Sequence, residues 1–357
     1  MNQEPTPALP PVWLKPGPLV PIARVAAACY GAAIGLRNAA YDHGLLPTHR
    51  VQARTVCVGN ISVGGAGKTP TVIALARRLH SDGAKVGIVS RGYGGSGSRR
   101  GALVCAGNGP LVDAQVAGDE PRLIAQSVPE VPLYVAADRC LAAEHLVRHF
   151  GCEIVLMDDG FSHRRLQRDL DLLLIDAVNG FGNSRLLPAG PLREPLTQLK
   201  RAKAIVLSKG PADDDLLQWV HRLAGQTPVF QSRLSTVGLR RLEDGSPVDL
   251  DEIRGQKVLS FCGLADSGGF DNTVQGLGVQ VIARRDFGDH HRYLVRDYEE
   301  LAALATPDGL TYTLTTAKDA VRLSSQGLRQ KGIPMTLVVD VQMEFDDLEG
   351  LIALIKG

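Results

Sequence analysis

The amino-acid sequence predicts an α/β protein. A P-loop NTPase-type, doubly wound and mostly parallel sheet is expected, with a smaller C-terminal α/β unit behind it and an apolar helix ahead of it. Three observations carry this reading. Residues 54–79 run as strand, glycine-dense turn, Lys-Thr and helix in succession. Downstream, short apolar runs alternate with helical stretches, and loops rich in glycine, arginine or acid follow the runs, as in parallel strands joined by right-handed crossovers. Near residues 225–256 the composition shifts and a second series of apolar runs begins. The division that follows is 1–50 for a lead-in and helix, 51–240 for the P-loop core and 241–357 for the smaller unit.

The 357 residues suffice for two domains with full cores. Hydrophobic content of 44% and charged content of 22% are those of an ordinary globular chain. A net charge of +1 gives no general attraction for nucleic acid, so only local patches count. The cysteines (Cys29, Cys57, Cys105, Cys140, Cys152 and Cys262) form no C-x-x-C pair and have no histidine at metal spacing. That argues against a disulfide framework or a zinc site and fits a reducing compartment. The N-terminus is polar and Pro-rich, without the pattern of a cleavable signal peptide.

Residues 1–18 hold six prolines and read as an extended lead-in. Over residues 19–41, Ile22, Val25, Ala26, Cys29, Ala33 and Leu36 fall at helical spacing. The uncharged run, residues 25–36, is only 12 long, against the roughly 20 residues a spanning helix needs. Two readings stand: an amphipathic helix in a membrane interface, or a helix packed on the protein body. Residues 1–54 carry five cations against two acids, a surplus that suits an anionic membrane surface.

The glycine turn reads Gly64-Gly65-Ala66-Gly67-Lys68-Thr69. The strict G-x-x-x-x-G-K-[ST] pattern fails, because its first position falls on Ser62. The strand before it (residues 55–58) and the helix after it (residues 71–79) nevertheless give the glycines a phosphate to wrap. Lys68 then reaches the outer phosphates and the Thr69 hydroxyl sits on Mg²⁺. A strand over residues 85–90 leads into Arg91-Gly92-Tyr93-Gly94-Gly95, either a plain flexible loop or one in which Arg91 forks onto a phosphate. Gly118-Asp119-Glu120-Pro121 puts two carboxylates ahead of a helical run, with Asp119 either an N-cap or a functional acid.

The run Glu153-Ile154-Val155-Leu156-Met157-Asp158-Asp159-Gly160-Phe161 ends in acids, the companion of a P-loop that holds Mg²⁺ or its water. A rival strand ends at Asp176, but two carboxylates and a glycine turn favour the first. His163, Arg164, Arg165 and Arg168 lie between them, as a solvated face or as a clamp on a second anion. A rigid Pro-rich loop follows at residues 188–195, then a core strand at 204–209. In the smaller unit a surface hairpin is expected at residues 240–245 and strands at 257–262, 279–284, 311–315 and 336–341. Asp289-His290-His291 falls in a loop after the second of these, as chance surface residues or as groups that take or hold a proton.

Eight motifs in order give the chain a resemblance to the lipid A 4′-kinase (tetraacyldisaccharide 4′-kinase) family. They are Val58-Gly59-Asn60-Ile61, Gly64-Gly65-Ala66-Gly67-Lys68-Thr69-Pro70, Ser90-Arg91-Gly92-Tyr93-Gly94-Gly95, Gly118-Asp119-Glu120-Pro121, Asp158-Asp159-Gly160-Phe161, His163-Arg164-Arg165-Leu166, Leu187-Pro188-Ala189-Gly190-Pro191-Leu192-Arg193-Glu194 and Asp289-His290-His291. The resemblance implies ATP-dependent phosphorylation of the 4′-hydroxyl of a tetraacylated diglucosamine 1-phosphate at the cytoplasmic face of the bacterial inner membrane. It favours the membrane-interface reading of residues 19–41, since the acyl chains of such a substrate stay in lipid. Ser162, Ala317 and Ser267 depart from the family's pattern, where glutamine, glutamate and proline are expected.

Under that resemblance the P-loop (Gly64, Gly65, Ala66, Gly67, Lys68, Thr69) is expected to hold ATP. Thr69, Glu120, Asp158 and Asp159 are expected around Mg²⁺, largely through water. Asp119 is the expected base for the sugar hydroxyl, with His290 as its partner from the other unit. Asn60, Arg91, His163, Arg164 and Arg165 are expected to hold substrate or phosphate. Two other functions fit some of these residues. A P-loop GTPase or metal-insertion chaperone needs a guanine-reading N-K-x-D run, and Ser208-Lys209-Gly210-Pro211 lacks its Asn and Asp. A non-catalytic, membrane-docked nucleotide sensor fits if the departures at 162 and 317 are disabling.

Overall fold

The computed structural model describes residues 20–265, 267–306 and 309–357. The lead-in expected over residues 1–18, and Asp266 of the turn ahead of Ser267, lie outside the described residues. In chain order the strands are β1 (Arg54–Gly59), β2 (Val86–Ser90), β3 (Ala102–Cys105), β4 (Leu133–Val135), β5 (Ile154–Asp158), β6 (Leu170–Asp176) and β7 (Ala204–Ser208). Then come β8 (Val229–Arg241), β9 (Pro247–Val248), β10 (Lys257–Cys262), β11 (Gln280–Asp286), β12 (Leu310–Thr316) and β13 (Thr336–Phe345).

These described strands make one sheet, in the order β11-β10-β12-β13-β8-β7-β6-β1-β5-β2-β4-β3, with β9 on β8. Neighbours pair in parallel except β3 with β4, β8 with β9 and β8 with β13. The parallel strands among β1 to β7 are mostly apolar and buried because helices cover both faces. One buried layer gathers Val56, Leu75, Leu79, Ile88 and Leu156, and the opposite one gathers Cys57, Val89, Met157, Phe161 and Leu207. The second unit repeats this on a smaller scale, with Val258 and Leu314 on one face and Leu259 and Phe261 on the other.

The two units share a strand. The first residues of β8 pair in parallel with β7, and Ser232 to Arg241 pair antiparallel with β13. The expected boundary at 240/241 therefore falls at the end of β8, where the expected hairpin turns back into β9. A second departure concerns the chain's end. The helix Leu348–Lys356, expected in the smaller unit, packs Leu351, Ile352 and Ile355 into the core around β1. Arg54 reaches its last turn, donating to the carbonyl of Leu354 at 2.9 Å, and Lys356 pairs with Asp82 at 2.8 Å.

The N-terminal helix Val20–Asp42 runs 23 residues, longer than its uncharged run, because Arg24 and Arg37 lie within it. It is long and apolar enough to cross a membrane by length and composition, and little of it is buried in the protein. Ile22, Val25 and Leu36 point outward. Its second half is fastened to the body by polar bonds. Tyr30 donates to the carbonyl of Arg193 at 2.9 Å, and the buried carboxylate of Glu194 accepts from Arg37 at 2.6 Å and Asn38 at 2.8 Å. One face of this helix is thus packed on the body and the other is exposed and apolar.

Candidate active site

The carboxyl ends of β1, β2, β5 and β6 open on one crevice, the usual ligand position of an open α/β sheet. After β1 the chain makes the glycine turn and enters the helix Lys68–Ser81, with Gly67 in the left-handed region as its N-cap. A side chain at Gly67 is doubly barred, since an added Cβ would also stand 2.8 Å from Cε of Met343 on β13. The carbonyl of Ala66 accepts from the buried Ser208 hydroxyl at 2.8 Å, which fixes the loop from below. Lys68 Nζ donates to Asn60 Oδ1 at 3.1 Å and lies 3.6 Å from Asp159. Thr69 follows at the second helical position.

Parallel register sets Val58 beside Asp158, so the end of β5 faces the P-loop. Asp158 is buried and accepts from Ser90 Oγ at 3.0 Å through one oxygen, while its other oxygen has no protein partner. Burial, reinforced by the charges of Glu120 and Asp159, pushes its carboxyl up to about 7. Asp159 behaves in the opposite way. Although burial opposes its ionisation, Lys68 and Arg193 hold it well below the usual carboxylate range. Arg193 grips it with bonds of 2.8 and 3.1 Å and also donates to Asn60 Oδ1. An unmatched buried carboxylate oxygen with Asp159 and Glu120 as its neighbouring acids is an oxygen-rich donor set that fits Mg²⁺.

The rival acid is otherwise engaged. Asp176 accepts from the backbone of Val178 and Asn179 and pairs with Lys209 at 2.7 Å.

Asp119 opens the helix Asp119–Ser127, yet it is not the N-cap: Gly118 holds that position and makes no side-chain bond. The glycines let two loops stack backbone on backbone, because a Cβ at Gly118 would strike the carbonyl of Tyr93 and one at Gly95 the carbonyl of Val116. That packing brings Asp119 and Glu120 to the crevice. From the second unit, His290 places Nδ1 2.9 Å from Asp119 Oδ2, and Arg322 approaches the same oxygen at 3.7 Å. Burial works against the Asp119 charge, but the His290 bond and the charges of Arg322 and Lys318 keep its carboxyl below the ordinary value. Lys318 reaches Glu120 at 3.2 Å. The neighbouring His291 has a different duty, stacking on Phe287 and binding Asp297 at 3.0 Å.

The arginines of residues 163–168, expected to hold an anion, make bonds within the protein. Arg164 donates to the carbonyl of Asn38 at 2.9 Å and pairs with Asp42 at 2.6 Å, so it holds the N-terminal helix. Arg165 pairs with Asp138 at 2.9 Å, and Arg168 donates to the carbonyl of His163 and binds Asp171. His163 keeps a buried Nε2 without a partner, and burial, with help from Arg139, pulls its pKa down to about 4. In space it meets Asp138 and Cys140, a grouping that the spacing along the chain does not reveal. Arg91 is exposed and within electrostatic reach of Arg139.

Arg193, Lys318, Arg322 and Ser90 are the site residues that sequence reasoning left without a role. The loop carrying Arg193 had a signal in its prolines, since its rigid path lets Arg193 N bond the carbonyl of Ile61 at 2.7 Å. Lys318 stands next to Ala317 in a run that the family resemblance marks, though without a physical account, and Arg322 had no signal, because only the tertiary fold turns the second unit's loops toward Asp119.

The description of the tetraacyldisaccharide-1-P 4′-kinase family matches residues 19–356. A tetraacyldisaccharide 4′-kinase of Anaeromyxobacter sp. (strain K) is 42% identical over 329 residues, covering 88% of this chain and 85% of its own. Another, from Desulfatibacillum aliphaticivorans, is 35% identical over 338 residues, covering 91% and 90%. The crystal structure of LpxK from Aquifex aeolicus in complex with ATP superposes with a TM-score of 0.74 at 31% identity, covering 95% of this chain and 97% of that one.

Proposed function

The chain belongs to the tetraacyldisaccharide-1-P 4′-kinase family, and on that premise we propose how its residues move a phosphoryl group from ATP to the 4′-hydroxyl of the lipid A disaccharide 1-phosphate precursor. It is a kinase of lipid A biosynthesis, and its P-loop is the seat for ATP, as in the relative solved with that nucleotide. The backbone of residues 64–67 wraps the phosphates and Lys68 exchanges Asn60 and Asp159 for phosphate oxygens. Thr69, Asp158, Asp159 and Glu120 would hold Mg²⁺, which when bound neutralises charge on the phosphates.

Asp119 accepts the proton of the sugar hydroxyl, and His290 orients it. The observation that carries this reading is the 2.9 Å contact between the first unit's Asp119 and the second unit's His290, above the P-loop crevice. A pair drawn from two units makes their approach a condition of catalysis. Arg193 steadies Asp159 and Asn60. His163, with its unmatched Nε2, and Arg91, exposed at the rim, are positioned to meet the sugar or its phosphate. The outward apolar face of Val20–Asp42 lies in the cytoplasmic surface of the inner membrane, where the substrate's acyl chains remain.

The test is transfer of ³²P from [γ-³²P]ATP to tetraacyldisaccharide 1-phosphate in detergent micelles. Lys68→Ala is expected to abolish it. Asp119→Ala and His290→Ala are expected to lower kcat by ~10²–10⁴ with little change in the KM for ATP. A near-normal kcat in both variants would overturn the base assignment while leaving the kinase standing.

A further inference from the structure

Lys318 enters the crevice from the helix Ala317–Ala320 of the second unit, and none of the roles above uses it. Its ammonium lies 3.2 Å from Glu120 Oε1, 3.2 Å from Asp289 Oδ1 and 3.5 Å from His290 Nε2. One partner belongs to the first unit and two to the second. We infer that Lys318 is a further catalytic residue, whose ammonium touches the γ-phosphoryl group while it passes to the sugar hydroxyl. The inference rests on the kinase reading and adds to it a contact that the P-loop does not supply.

The argument is one of position. A hydroxyl whose proton goes to Asp119 must stand within hydrogen-bond reach of that carboxylate. The phosphorus it attacks stands between that hydroxyl and the P-loop, because attacking and leaving oxygens are roughly in line. Lys318 already contacts Glu120, next to Asp119 in the chain, and the imidazole that binds Asp119, so its ammonium borders the path of transfer. Charge points the same way. Asp119, Glu120, Asp158, Asp159 and Asp289 gather around this crevice. Arg193 is committed to Asp159 and Arg322 to Asp119 and Asp319, while Lys68, which is to meet the phosphates, stands on the P-loop side. A polyphosphate entering so acidic a space needs a cation on the acceptor side.

The lysine is also held on station. Asp319, fully buried, accepts from Gly263 N, the Tyr293 hydroxyl at 2.9 Å, the Thr316 hydroxyl at 2.6 Å and Arg322 at 2.7 Å. Thr316 in turn caps the short helix, its hydroxyl accepting from Asp319 N at 3.0 Å. Asp319 is thus a positioning residue for its neighbour. In the transfer the bond from the γ-phosphorus to its bridging oxygen breaks, the bond to the sugar oxygen forms and the hydroxyl proton goes to Asp119. Lys318 exchanges no proton. It trades carboxylate oxygens for phosphoryl oxygens.

The experiment compares the full chain with Lys318→Ala and Lys318→Arg in the micellar transfer assay, with Lys68→Ala alongside. Lys318→Ala is expected to lose ~10²–10³ in kcat with the KM values for ATP and lipid nearly unchanged, and Lys318→Arg to recover part of the loss. A second readout needs no turnover: the affinity for ADP with Mg²⁺, with and without aluminium fluoride as a mimic of the transferring phosphoryl. Wild type is expected to bind the fluoride complex more tightly than ADP, and Lys318→Ala to lose that excess while keeping its ADP affinity. Wild-type-like kcat in Lys318→Ala, or an equal loss of ADP and fluoride-complex binding, would overturn the inference. Absence of transfer in wild type would instead overturn the kinase reading itself.

Discussion

Two adjacent carboxylates show how far a residue's chemistry depends on its surroundings. Asp158 ends a buried strand and meets a hydroxyl and other acids, whereas Asp159 turns out of the strand toward Lys68 and Arg193. The first is pushed up to about 7 and the second is held far down. The sign of the consequence for stability follows from linkage. The folded metal-free protein keeps a proton on Asp158 that the unfolded chain loses near its ordinary value of 3.8, so this group's contribution falls as pH rises from about 4 to about 7. Above that, a buried unmatched charge remains, which a divalent cation offsets. The rise in Tm on adding Mg²⁺ is therefore expected to be larger at pH 8 than at pH 6, and Asp158→Asn to flatten the difference. Equal shifts at both pH values in wild type would refute this. At this scale the sequence named both aspartates but could not assign their opposite states, because neither burial nor the approach of Arg193 is written in the local residues.

Among the elements, the N-terminal helix is attached in part through one buried acid. Glu194 is fully buried and binds both Arg37 and Asn38, while Arg164 closes the helix end at Asp42. Replacing Glu194 by Ala leaves the Asn38 amide unmatched and is expected to cost ~2 kcal/mol. The cost should appear as faster hydrogen exchange over residues 20–42, with β1 and β5 unchanged and vesicle binding retained. Protection of that helix equal to wild type would show that Glu194 does not hold it. The helix itself was legible from its periodicity. Its attachment was not, since Glu194 lies more than 150 residues away and reads in sequence only as part of a rigid Pro-rich loop. The strand β8 escaped notice for a related reason. It is buried on neither face continuously and mixes Ser, Arg, Thr and Gly, so no period of two marks it.

Across the whole molecule, the units are joined twice. A continuous sheet runs through β8 and β13, and the chain's last helix crosses back to pack under β1. Met343 on β13 backs onto Gly67, so the second unit's long strand forms part of the P-loop's support. The last helix should accordingly govern the stability of the nucleotide-binding unit. Leu351→Ala, at a fully buried position, is expected to destabilise by ~2–5 kcal/mol. Hydrogen exchange should place the loss in β1 and β5 rather than in β10. A loss confined to β10 would mean that the helix belongs energetically to the smaller unit.

The sequence by itself determined the P-loop, most of the strands around it, the acids at the end of β5 and the motif order that marks the family. These are local patterns: apolar runs, glycines where the backbone must turn, and charges set at strand ends. The tertiary structure alone decided that Lys318 and Arg322 enter the crevice where Asp119 meets His290, that Arg164 serves the N-terminal helix and that the final helix returns to the first unit. Such pairings join residues far apart in the chain, and their partners are selected by how the units pack, which no local pattern encodes.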